Sequence, residues 1–433
     1  MTRHGLRRSC GRTVFGAITV GITAVVALPA LAGCASDVSG TAAAAEVDVR
    51  QLPVGNYPTA PLDARMTYEH GVGDGRPMAI ARLAGNTVIG TDVDPGLSHN
   101  VMSKALRFPE DAYSVLADPV RAVLEPDHMQ YGFSAAASTE DLSDTTGYTI
   151  SGDFQPFGGA NAKASATSFN MTILQFPDAQ QARTAAQDMD TADFTVAADR
   201  NVHVTLAGHA DAKAHWQPGI PSLAATIADG LYVASVYVQL PTADLDGLGT
   251  LADKILAAQL PMLDDAPGLS PEDIYRLDPD PDAMLRRTLH PGQSISPDAD
   301  SETTHTAHGY LHYIGDLPTW KALLDNNGVD RVSTARSGGL LFRTRDPKSA
   351  AALATAIAAR TTTPAEVPDK VPDTTCAEAN KAWTTYKTWD TNAKYICTLH
   401  YDRYVARVSS DQLIDVQQKA AAQYAVLANS QPL

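Results

Sequence analysis

An eleven-residue stretch near the middle of this chain is echoed near its end, and no other feature constrains the fold as strongly. Thr226 to Val236 aligns without a gap on Thr398 to Val408, and Tyr232-Val233-Ala234-Ser235-Val236 matches Tyr404-Val405-Ala406-Arg407-Val408. In both copies β-branched and aromatic residues flank a short polar centre, the pattern of a tight hairpin. The flanks match as well. Leu248, Leu251, Ile255 and Leu256 follow the first copy at helical spacing, and Leu413, Val416, Ala420, Tyr424 and Leu427 follow the second. Ser410 or Asp411 is expected to cap that last helix. Upstream, the alternating Phe169-Asn170-Met171-Thr172-Ile173 precedes Pro177-Asp178 and a helix with Ala182, Ala185 and Met189. Leu340-Leu341-Phe342, Asp346-Pro347 and a helix with Leu353 and Ile357 repeat that order. Proline in a first helical turn loses no hydrogen bond, which suits it to both places.

Each half therefore reads as strand, helix, several antiparallel strands and a closing helix. The expected class is α+β, with two tandem, duplicated domains, each an antiparallel sheet with helices packed on one face. Residues 51–275 are assigned to the N-terminal domain and 291–433 to the C-terminal one. Between them, residues 276–290 hold Leu277-Asp278-Pro279-Asp280-Pro281-Asp282, donor-poor and charged, which suits an exposed linker. The stretch from Leu52 to about Gly147 shows no counterpart in the second half and is expected to add elements to the first domain.

The first 33 residues read as a processing signal. Arg3, Arg7, Arg8 and Arg12 precede an apolar run from Val14 to Leu31, with no acidic residue before Asp37. A basic start keeps its charge inside while a short apolar segment enters the membrane. Leu31-Ala32-Gly33-Cys34 resembles a bacterial lipobox, which implies a diacylglycerol on the Cys34 thiol and a new N-terminus there. An uncut signal anchor is the alternative, since an apolar run of about this length can span a bilayer. Arg7-Arg8 also suggests twin-arginine export, but Ser9-Cys10-Gly11 continues that motif poorly. Residues 34–50 begin with small residues that bury little and read as a flexible tether. Two acyl chains anchor stably where one is marginal. The expected location is the cell membrane, lipid-anchored, at its extracytoplasmic face.

Export also explains the cysteines. Of four, Cys10 leaves with the signal and Cys34 takes the lipid, so Cys376 and Cys397 remain and are expected to pair. Two separate buried thiols are the alternative. The chain has a formal net charge of −16, more negative once the signal arginines leave, which repels phosphate backbones and argues against nucleic acid. Its 433 residues are ample for two cores.

Lipobox, Asp48 to Thr59, the late cysteine pair, Gln417-Gln418-Lys419-Ala420 and Ala422-Gln423-Tyr424 together resemble a family. It is the two-domain lipoproteins of mycobacteria, nocardiae and their relatives, whose domains carry no assigned function. The resemblance implies an exported, membrane-anchored protein with an N-terminal and a C-terminal domain, and supplies no catalytic residues.

Signatures of chemistry are sparse. There is no Gly-x-Ser-x-Gly elbow, Ser-x-x-Lys, Walker loop or His-Glu-x-x-His. Gly71-Val72-Gly73-Asp74-Gly75-Arg76 lacks dinucleotide spacing and reads as a turn. His305, His308 and His312, with His290 nearby, could converge on zinc or copper. Gly309 to Tyr313 reads as a strand, however, which separates His305 from the other two and favours solvated histidines. Asp92 and Asp94 could bind a hard cation or act as acid and base, though a solvated turn is favoured. Trp383, Tyr386, Trp389 and Tyr395 flank the cysteine loop and could line an apolar or sugar cleft, with core packing the better expectation.

No catalytic residue, cofactor or resident metal is therefore assigned. The expected function is a non-enzymatic envelope lipoprotein that binds a ligand or a protein partner. A hydrolase with scattered catalytic residues, or a metal-capturing lipoprotein, are the competitors. A cleft with convergent carboxylates or a His–carboxylate pair would favour the enzyme, and an open apolar groove between the domains would favour binding.

Overall fold

The structure is a computed structural model that describes residues 47–142, 165–361, 363–379 and 393–430. The apolar run, Cys34, Trp383, Tyr386 and Trp389 lie outside them. The helices are α1 (Ala64–Thr67), α2 (Val72–Ala84), α3 (Gly90–Val93), α4 (Asp118–Leu124), α5 (Ala179–Phe194), α6 (Leu245–Asp264), α7 (Pro271–Tyr275), α8 (Ala307–Leu311), α9 (Leu317–Asn326), α10 (Pro347–Ala358) and α11 (Leu413–Asn429). The first sheet contains β1 (His99–Leu106), β2 (Tyr131–Ser138), β3 (Ser168–Gln175), β4 (Val202–Val204), β5 (Lys213–Trp216), β6 (Ser222–Asp229) and β7 (Tyr232–Gln239). The second contains β8 (Thr303–Thr306), β9 (Arg331–Ala335), β10 (Gly339–Arg343), β11 (Pro364–Ala365), β12 (Thr374–Glu378), β13 (Tyr395–Tyr401) and β14 (Tyr404–Ser410).

Both sheets are antiparallel and seven-stranded, and their topologies coincide. The first runs β1-β2-β3-β7-β6-β5-β4 and the second, read from its other end, β8-β9-β10-β14-β13-β12-β11. The echoed segments are the β6–β7 and β13–β14 hairpins. Asp229 pairs with Tyr232 and Tyr401 with Tyr404 across two-residue turns, whose first residues have positive φ: Gly230 (55°) and Asp402 (49°). That backbone conformation matches the twist of the strands. β1 and β2 occupy the places of β8 and β9, so the stretch before Gly147 does have a counterpart. Its equivalence is carried by strand order, with no sequence echo to reveal it.

The α+β class holds, and the layers are fuller than periodicity indicated, because helices cover both faces of each sheet. Phe169, Met171, Ile173, Val236 and Val238 join Leu248, Ala252, Ile255 and Leu256 of α6 in one core. On the opposite face, Leu174 and Val233 meet Ala182, Ala185 and Met189 of α5. β2 and β3 are accordingly buried at every position. In the second half, Leu340, Phe342 and Val405 pack on Leu353 and Ile357 of α10. Leu341, Leu399 and Ala406 pack on Val416, Ala420 and Tyr424 of α11. Cys376 and Cys397 sit opposite one another on β12 and β13 and form a disulfide.

Capping follows local chemistry. Asp178 accepts from the amides of Gln180 and Gln181, and Asp346 from that of Ser349. The cap of α11 is Gln412, one or two residues later than expected, because Ser410 is used otherwise: its Oγ accepts from the Gln412 amide and donates to Asp415. The glycine-rich Gly71–Arg76 opens α2 instead of forming a turn. Gly75 lies where a Cβ would collide with the Ile274 carbonyl, so the glycine serves close helix packing.

Residues 47–62 run along the second half. Leu52 is buried with Val416 and Ala420, Tyr57 donates to Asp415 at 2.6 Å, and Asn429 donates to the Thr59 carbonyl. The Pro/Asp stretch packs as well and is not an exposed connection. Asp280 is 3% exposed, accepts from the Leu285 and Arg286 amides and pairs with the Arg286 guanidinium.

Candidate functional site

Side chains on β3, β6 and β7 alternate, so the apolar set fills the core under α6 and Asn170, Thr226, Ser235 and Tyr237 face the side of α5. There they floor a cavity of about 670 Å³. Its walls are Met189 and Asp193 of α5, Val196 just beyond that helix, and the segment from Tyr113 through α4 that includes Leu116, Pro119, Val120 and Arg121. This volume and mixed lining suit a small organic ligand.

The floor is an ordered polar patch. Ser134 and Thr172 both donate to Asn170 Oδ1 (3.0 and 3.1 Å), and Thr226 donates to Ser235 Oγ at 3.4 Å. Asn170 is 5% exposed, and among the described residues both hydrogen bonds of its side chain fall on Oδ1 and none on Nδ2. Its side chain lines the cavity, so this amide is a donor that a ligand oxygen can meet.

Beside the floor, Asp190 and Asp193 lie one turn apart on α5 and hold His215 of β5 between them. His215 Nδ1 is 3.3 Å from Asp190 Oδ1, and Nε2 is 3.6 Å from Asp193 Oδ2. Phe194 presses edge-on against this imidazole and stacks on His203 at 4.2 Å. Burial pushes the Asp193 carboxyl above the usual range, His215 opposes the shift, and the Asp190 charge adds to it. Tyr237 is raised too, first by burial and in smaller part by Asp193. At the mouth, Arg121 pairs with Asp118 at 3.4 Å, while Tyr113 and Val196 remain 37% and 57% exposed.

The histidines singled out in sequence go elsewhere. Residues 309–313 are not a strand: Thr306 caps α8 by accepting from the Gly309 amide. A run so short carries no periodicity able to tell helix from strand. His305, on β8, is buried against the Tyr313 ring (5.0 Å), and burial lowers it to about 4. His312 is buried against Phe133 and lies 3.1 and 3.0 Å from the Ala84 and Thr87 carbonyls; burial and then His308 lower it to about 3. His308 Nε2 meets Asp92 Oδ2 at 2.8 Å, and His290 sits on the Leu285 carbonyl. The imidazoles do not converge, and no group of three metal-ligating side chains occurs among the described residues. They are not solvated either, since His308 and His312 join the two halves. Asn100 Nδ2 supports the same seam by donating to the Leu311 and Ile314 carbonyls.

Asp92 likewise is not a solvated turn residue. It accepts from the Ile89 amide and from His308, which outweigh burial and lower its carboxyl below the usual range. Asp94 pairs with Lys254 at 2.8 Å. Tyr395 lies on β13, partly packed against the core that holds the disulfide.

Asn170, Asp193, His215, Ser235 and Tyr237 went unrecognised as a set because they are 67 positions apart at the extremes and meet only through strand pairing. A faint signal existed: Asp190 and Asp193 at helical i, i+3 spacing break an otherwise alanine-rich face.

Residues 66–279 match the family described as "Domain of unknown function (DUF7373) N-terminal", and residues 284–430 match its C-terminal counterpart. No curated protein matches this chain. Among solved structures, the extracellular domain of PknH from Mycobacterium tuberculosis is similar at 14% identity and a TM-score of 0.25, covering 46% of this chain and 97% of that one. The two family matches lie end to end across most of the sequence, one on each sheet, and the chain belongs to the DUF7373 family.

Proposed function

We propose that this chain is an exported lipoprotein, anchored through Cys34 at the extracytoplasmic face of the cell membrane, that binds a small molecule without transforming it. The observation that carries the binding role is the cavity of about 670 Å³ on the α5 face of the first sheet, with its polar floor and apolar walls. The anchor rests on the Leu31-Ala32-Gly33-Cys34 motif behind an apolar run, and the oxidised Cys376–Cys397 pair is in keeping with an oxidising compartment.

The hydrolase reading has one observation in its favour, the His215–carboxylate contacts at the edge of the cavity. Nδ1 of His215 is held by Asp190 and its Nε2 faces Asp193, however, and among the described residues no serine or threonine hydroxyl bonds to either nitrogen. The Thr226 and Ser235 hydroxyls bond to each other instead. Binding is therefore the better account of this geometry.

Fluorescence titration of the purified protein with the neutral dye N-phenylnaphthylamine tests the reading. Saturable binding of one dye per chain, abolished by Ala224→Trp at the cavity floor, is the expected result. Dye binding that survives Ala224→Trp, or none in the parent chain, would overturn it.

A further inference from the structure

We infer that the cavity takes an amphiphile whose head group carries a cationic amine and an oxygen acceptor, with an apolar body lying against the α4 and α5 walls. The inference rests on reading the cavity as a ligand site and goes on to name the ligand's chemistry.

Three features lead there. First, two carboxyl groups, those of Asp190 and Asp193, face the single imidazole of His215, so acidic groups outnumber basic ones beside the cavity. Among the lining residues described, Arg121 is the one cation, and it is paired with Asp118. A carboxylate that faces a partly desolvated space favours an opposite charge there, and an anionic head would meet repulsion.

Second, Asn170 has spent its Oδ1 on Ser134 and Thr172, while its Nδ2 has no partner and belongs to a side chain lining the cavity. A hydroxyl, ether or carbonyl oxygen on the ligand satisfies that donor. Third, Leu116, Pro119, Val120, Met189 and Val196 offer continuous apolar contact from the interior to the mouth, where Val196 is exposed. That pathway fits an alkyl or aryl body better than a fully polar metabolite.

Displacement of N-phenylnaphthylamine from the purified protein by 2-aminodecan-1-ol (aminodecanol), decane-1,2-diol (decanediol) and decanoate separates the possibilities, since the three share a ten-carbon chain and differ in the head. Aminodecanol is expected to displace the dye at about tenfold lower concentration than decanediol, and decanoate to be the weakest, as for a charge-assisted hydrogen bond. Asp193→Asn should erase the gap between aminodecanol and decanediol while leaving decanediol within about twofold. Asn170→Ala should weaken both by about threefold or more, as for one hydrogen bond. Far-ultraviolet circular dichroism and a cooperative thermal melt like the parent's establish that Asp193→Asn and Asn170→Ala are folded. Decanoate competing as well as aminodecanol, or a gap that persists in Asp193→Asn, would overturn the inference and leave the binding function standing. Loss of saturable dye binding in the parent chain would instead remove the binding function itself.

Discussion

On the face that α5 covers in the first half, β3 and β7 bring Thr172 opposite Ser235. On the equivalent face of the second half, β10 and β14 bring Leu340 opposite Arg407. The neighbouring pair changes from Leu174–Val233 to Phe342–Val405. Above them, the first half leaves a cavity, whereas the second stacks Trp320 on Phe342 at 6.1 Å and sets Tyr310 edge-on at 5.7 Å. Arg407, at the register position that Ser235 holds in the first half, is 3% exposed, so a long side chain is buried where the first half carries a small one. One strand order thus supports two outcomes. Side-chain volume at a few register-matched positions decides whether a sheet face becomes a core or a site.

The largest test of this contrast is truncation at the matched pair. Phe342→Ala is expected to cost about 3–5 kcal/mol in urea unfolding, and Leu174→Ala nearer 2–3 kcal/mol, because neighbours beside a cavity can relax. Equal losses would mean that the first face is packed as tightly as the second. Only the second half carries the disulfide, and its ends are 21 residues apart, so the Cys376→Ser/Cys397→Ser double variant should lose about 3 kcal/mol. Thermal melts with and without reductant measure this, and an unchanged midpoint would remove the staple from the comparison.

Protonation probes the elements through which the second half holds itself and the first. Burial lowers His305 and His312 to about 4 and about 3 in the folded chain, from 6.5 for an ordinary histidine. Between those values the unfolded chain binds more protons, so stability must fall as pH drops from 6.5 towards 4, by about 1.4 kcal/mol per pH unit for each histidine. Denaturant midpoints flat over that interval would contradict their burial as neutral rings. The smallest effect is expected from filling space. Ala224→Leu at the cavity should change stability by under about 1 kcal/mol, whereas Ala350→Leu, in the filled core of the second half, should cost about 1–3 kcal/mol. A large loss at Ala224 would show that the cavity is not open to an added side chain.

Much of the architecture was legible. The β6–β7 and β13–β14 hairpins, the helices after them and the Asp178 and Asp346 caps are local patterns, and local chemistry decides them. Equivalence of β1 and β2 with β8 and β9 was hidden because strand order, not residue identity, carries it. Residues 309–313 misread as a strand because one turn of helix is too short to show a period, and the Thr306 cap becomes visible only once the chain bends. Of the candidate site, little could be read. Asn170 and Ser235 lie on neighbouring strands and Asp193 on a helix across them, so nothing but pairing register brings them together.

By itself, the sequence determined the repeat, the hairpins and the α+β class, since each depends on neighbours in the chain, and it pointed to the Cys376–Cys397 pair through the export reading. Tertiary structure decided which sheet face stays open, that His308 and His312 seal a seam instead of gathering a metal, and that Asp190 and Asp193 share one imidazole. Those outcomes depend on the volume and charge left over after distant segments pack, and no stretch of sequence carries that remainder alone.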